Sequence, residues 1–138
     1  MDAAQALQDL TEISSQIEAA VLIAADGALL ATTLADEGAT GRLAGAVGKL
    51  VDAAISVPHE SGERQLVQLE AATSDGSVFV VRDDVRVVAA VTSPEPTAGL
   101  VFYDLKSCLR AAAAERGDGK PRPAARRTRR AAADKASE

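Results

Sequence analysis

Apolar positions along the chain fall into eight segments, and their spacing switches between the period of a helix and that of a strand. Ala6, Leu7, Leu10, Ile13, Ser14 and Ile17 recur at intervals of three and four, the repeat of one helical face, and predict a first helix from Ala3 to about Glu18. AAVLIAA at 19–25 is a short apolar run closed by Asp26-Gly27 and followed by ALLATT at 28–33. An Asp-Gly pair between two such runs predicts a hairpin with a type I′ turn. LADEGAT at 34–40 breaks the pattern, Thr40 is placed to cap a second helix over 41–57, and Pro58 ends it.

RQLVQLEAA at 64–72, SVFVVRD at 77–83 and VRVVAAVT at 85–92 come next, punctuated by Ser74-Asp75-Gly76 and by Asp83-Asp84. They predict a three-strand antiparallel meander. The first strand alternates, with Leu66 and Gln68 on one face and Val67 and Leu69 on the other, while the later two are apolar at nearly every position, as strands covered on both faces are. SPEP at 93–96 is a loop and Thr97 a cap. Leu100, Val101, Leu105, Cys108, Leu109 and Ala112 form the stripe of a last helix stopped by Gly117. The order is α-β-β-α-β-β-β-α, an α+β sandwich in which a five-stranded antiparallel sheet carries one helix on one face and two on the other.

Charge divides the chain differently. Residues 1–116 hold 8 Lys/Arg against 17 Asp/Glu, net −9, and residues 117–138 hold 7 against 3, net +4. The body is expected to be one domain of typical size, and 117–138 an unstructured basic tail rich in Arg, Pro and Ala. An acidic body without a basic stripe is a poor binder of phosphate backbone, so contact with nucleic acid or another anionic surface would fall to the tail, through Lys120, Arg122, Arg126, Arg127, Arg129 and Arg130. Cys108 and His59 are the only residues of their types, which excludes an internal disulfide and a Cys/His zinc cluster. The N-terminus has acids where a signal peptide needs a basic segment, no apolar run reaches the roughly 18 residues of a membrane span, and a cytoplasmic location is expected.

Catalytic patterns fail one by one. Gly48-Lys49 suggests a phosphate loop, but Leu43 and Leu50 stand where that motif needs Gly and Ser or Thr. No G-x-G-x-x-G and no G-x-S-x-G occurs. His59 sits beside Pro58 in a polar loop, Cys108 lies on an apolar helix stripe, and Asp83 with Asp84 occupies a turn. No catalytic, cofactor-binding or metal-binding residue is assigned. Phe102 and Tyr103 adjoin on the last helix as core or interface anchors.

The element order within about 116 residues, the Asp26-Gly27 joint, the Gly-rich central helix and the closing AGLVFYDLKSCL together resemble the roadblock / dynein light chain family. The resemblance covers the body and omits the tail. It implies a fold like longin and profilin, and a homodimer in which the third strand pairs with its symmetry mate and the two central helices lie side by side. It also implies a non-enzymatic role, since bacterial members look like partners of Ras-like GTPases of the polarity type, some activating hydrolysis without supplying a catalytic residue.

Two surfaces follow for such partners. On a helical wheel Gly41, Gly45, Gly48 and Asp52 fall close together, away from Leu43, Val47, Leu50, Val51 and Ala54. Each interior glycine costs about 0.5–1 kcal/mol relative to alanine. Close approach of another backbone would explain three of them, and tolerated small residues on an Ala-rich helix would explain them equally. With Arg42, Lys49 and Asp52 they form the candidate partner face. The candidate dimer edge is the third strand, through Arg64, Leu66, Gln68 and Glu70. A nucleic-acid-associated protein working through the tail, and a small-ligand sensor, stand as alternatives.

Overall fold

The structure, a computed structural model, describes residues 2–58 and 67–115. Eight elements run in the expected order: α1 (Ala3–Ile13), β1 (Ile17–Ala24), β2 (Leu29–Thr32), α2 (Glu37–Ile55), β3 (Gln68–Thr73), β4 (Gly76–Arg82), β5 (Arg86–Thr92) and α3 (Ala98–Glu115). The five strands form one sheet in the order β2-β1-β5-β4-β3, with every neighbouring pair antiparallel. β5 is the central strand, and β1, although first in sequence, is interior because β5 returns to pair along its length, from Ile17 opposite Thr92 to Ala24 opposite Arg86.

The first helix is shorter than its periodicity suggests. Asp2 caps it, its carboxylate accepting the Gln5 N–H at 2.8 Å, but it stops at Ile13 and Ser14 is already extended. Ile13 is 73% exposed whereas Ile17 is buried as the first residue of β1. The spacing from Leu10 to Ile17 thus joins a helix stripe to an inward-facing strand position. Ser14-Ser15, which hydrogen-bond readily to non-helical backbone, sit at the break.

The first hairpin is not type I′. Gly27 alone has φ in the left-handed region, at 94°. The Gly27 N–H donates to the Ala24 carbonyl at 2.9 Å and the Ala24 N–H to the Ala28 carbonyl at 2.8 Å. That is a three-residue loop, a type I turn followed by a left-handed glycine. At the β3–β4 joint Gly76 has φ 153°, and a Cβ placed there would overlap the Thr92 carbonyl oxygen of β5. The β4–β5 joint is held by Asp83, whose Oδ1 accepts the N–H groups of Val85 at 2.8 Å and Arg86 at 2.7 Å.

α1 and α3 cover one face of the sheet. Leu7, Leu10, Val101, Leu105 and Leu109 pack there on Leu22, Phe79, Val81 and Val88. Phe102 meets Phe79 edge to face, with ring centres 5.0 Å apart. α2 covers the opposite face, pressing Val47 onto Val21, Ile23, Val80 and Ala89. Its cap is Asp36, not Thr40: the Asp36 carboxylate accepts the Ala39 N–H at 3.0 Å. Thr40 is instead buried one turn in, its hydroxyl 3.2 Å from that of Thr32 on β2. An earlier, acidic cap wins because a carboxylate suits a helix N-terminus as well as a hydroxyl does, and Thr40 is then available to tie α2 to the sheet.

Candidate protein-interaction surfaces

The two layers are buried to different extents. α3 contributes Val101, Leu105, Cys108, Leu109 and Ala112 to the core, whereas α2, although 19 residues long, buries only Thr40 and Val47. Leu43, Ala44 and Val51 are half-buried, as are Leu69 and Val78 beneath them. One helix is too narrow to cover five strands, and the sheet on the α2 side stays partly bare.

Gly41, Arg42, Gly45, Gly48, Lys49 and Asp52 are all exposed. A Cβ added at Gly41, Gly45 or Gly48 would meet nothing within 4 Å. No close packing inside the chain therefore demands these glycines. Their position in the sheet frame is informative: Gly41 shares a hollow of about 460 Å³ with Leu29 and Thr32 of β2. Gly48 and Asp52 line a cavity of about 300 Å³ beside the Ala24–Gly27 turn and the Arg82, Asp83 and Arg86 corner. The glycine face thus borders β2 at Gly41 and, at Gly48, the end of the sheet where the β1–β2 and β4–β5 turns lie, and β2 is the edge opposite β3.

The β3 edge is the second surface. β3 pairs with β4 only, Gln68 opposite Val81 through Thr73 opposite Gly76. The Arg82 N–H donates to the Val67 carbonyl at 3.0 Å. Since hydrogen-bonded pairs alternate in an antiparallel ladder, Val67, Leu69 and Ala71 bond to β4 and the backbone groups of Gln68, Glu70 and Ala72 point outward. The side chains of Gln68 and Glu70 are exposed as well. Arg64, Leu66 and His59 lie outside the described residues, as do Lys120, Arg122, Arg126, Arg127, Arg129 and Arg130 of the tail.

The remaining reactive groups have structural work. Cys108 is buried against α1, and burial first, with Asp9 adding to it, pushes its thiol up to about 11. Asp83 is engaged in its turn, as described above. Among the described residues no three His, Cys, Asp or Glu side chains stand close enough to share a metal ion, and no helix is long and apolar enough to cross a membrane. Asp36, Asp104 and the arginines Arg82 and Arg86 that flank Asp83 were not singled out by sequence. For Asp104 the signal was present: an acid at the inward i+3 position from Val101.

No protein-family model and no curated protein sequence matches the chain. Solved structures do. The Roadblock/LC7 domain from Streptomyces avermitilis superposes with a TM-score of 0.73 at 16% identity, over 83% of this chain and 98% of that one. This chain has the roadblock fold. The gliding protein MglB of Thermus thermophilus shares it, with a TM-score of 0.67 at 18% identity over 81% and 86% of the two chains. So does an MglB solved in a tetrameric arrangement, at 0.64 and 20% over 80% and 86%. In roadblock terms, α2 is the central helix and β3 the outer strand of the sheet.

Proposed function

We propose that the chain is a non-enzymatic, homodimeric platform that binds a Ras-like small GTPase, with the cytoplasm as its place of work. The observation that carries this is α2. A 19-residue helix that buries two residues and turns three glycines toward open space has more surface than its own sheet uses. In the dimer, β3 adds to β3 of a second copy through Gln68, Glu70 and Ala72, extending the sheet and bringing the half-bare α2 layers together. The glycine face, on the far side toward β2, is left for the GTPase. The glycines admit a partner's backbone, while Arg42, Lys49 and Asp52 supply charges that orient it. Self-association accords with the tetrameric arrangement recorded for an MglB of the same fold.

The test is calorimetry of the full chain against the Ras-like GTPase encoded nearest to it, loaded with GDP and then with a non-hydrolysable GTP analogue. Binding in at least one state is expected, weakened about tenfold or more by R42E/K49E, since a like-charge contact at an interface costs several kcal/mol. Absence of binding in both states contradicts the proposal. GTP hydrolysis rates with and without the chain then tell an activator from a passive partner.

A further inference from the structure

On the α1/α3 face, away from both surfaces above, a groove of about 370 Å³ runs between the two helices, lined among others by Asp9, Ile13, Tyr103, Asp104 and Cys108. Asp104 is only 8% exposed, yet no hydrogen bond or ion pair joins its carboxylate to any described residue. Arg110, one and a half turns along α3, donates instead to the Ser107 hydroxyl at 3.2 Å. Its carboxylate opens on the groove with no cation beside it, and the next acid there, Asp9, which accepts one hydrogen bond from the Gln5 side chain at 2.9 Å, adds charge of the same sign. The rim is apolar: Ile13 is 73% exposed and Tyr103 62% exposed. The groove is therefore shaped for a cation carried on an apolar stem.

We propose that its occupant is the Arg-rich tail of the same chain, residues 120–130, with an arginine guanidinium meeting Asp104 and Asp9 and the neighbouring stems lying on Ile13 and Tyr103. Arginine fits better than lysine because its planar fork can satisfy a carboxylate with two hydrogen bonds and stack on a tyrosine ring. Reach is sufficient. α3 ends at Glu115, and the distance back to Asp104 is about 16 Å at 1.5 Å per helical residue. The same number of residues beyond Glu115, extended, spans about 35 Å and arrives at Arg126. Charge also favours it, a tail of net +4 against a body of net −9. The tether raises the local concentration of the tail to the millimolar range, so that a contact too weak to hold a separate peptide becomes populated.

The test uses the full chain and its amide resonances. Replacing Arg126, Arg127, Arg129 and Arg130 by Gln is expected to shift the signals of Asp9, Ile13, Tyr103 and Asp104. Raising salt to about 0.5 M, which screens such pairs, is expected to move them the same way without any substitution. In Asp104→Asn, which keeps the side-chain shape, the four Gln replacements should no longer move Asp9 and Ile13. Shifts confined to the tail, or falling on α2 and β3, overturn the proposal. So does recovery of the groove signals when unlabelled wild-type chain is mixed with the labelled Gln variant, because the occupant is then the tail of a second copy.

Discussion

Gly76 and Gly48 are glycines for opposite reasons, and alanine separates them. At Gly76 the backbone is left-handed and a Cβ would strike the Thr92 carbonyl, so Gly76→Ala is expected to lose about 1–3 kcal/mol, a fall of several degrees in Tm. At Gly48 the conformation is helical and the space is open. There alanine is expected to stabilise the fold by about 0.5–1 kcal/mol and to weaken binding of the GTPase. A gain in both stability and affinity would return Gly48 to an ordinary small residue. The Cys108 thiol is raised from 9.0 to about 11, so the neutral form is favoured by the fold. That contribution is complete below pH 9 and is lost as pH climbs through 11. Alkylation at pH 8 is expected to run roughly a hundredfold slower than for a free thiol, and equal rates would show that the side chain is not held in the core.

At the scale of elements, the sequence made the order of all eight legible and misplaced several boundaries, each for a local reason. Ile17 extended the α1 stripe in sequence but faces inward from β1. Asp36 pre-empted Thr40 as a cap, and Asp36→Ala is expected to cost about 1 kcal/mol in denaturant unfolding. Asp26-Gly27 marked the hairpin correctly without fixing its turn type, which depended on Ala25 joining the loop. The candidate surfaces were less legible than the fold. The glycine face and the β3 edge were visible as patterns, but the Arg82/Asp83/Arg86 corner beside Asp52 is assembled from segments distant in sequence, and no periodicity reveals it. The β3 edge carries its own test. Glu70→Pro removes an outward N–H and is expected to leave the β3–β4 ladder intact while breaking self-association. Leu69→Pro removes a ladder bond and is expected to destabilise the domain itself. Equal damage from both would place the dimer contact elsewhere.

For the whole molecule, the distribution of burial matters more than any one group. The α1/α3 layer closes over its face of the sheet, and the α2 layer does not. An acidic body, an edge strand with outward backbone groups and a central helix with surplus surface are the features on which the proposed platform rests, and the roadblock fold gives them a common frame. The most direct measurement is sedimentation equilibrium of the full chain at roughly 10–100 µM, the range in which a standard-sized interface assembles. A mass near twice 14.1 kDa for the wild type and near 14.1 kDa for Glu70→Pro is predicted. A wild-type chain that stays at 14.1 kDa throughout, or a Glu70→Pro chain that still doubles, would contradict a dimer built on β3.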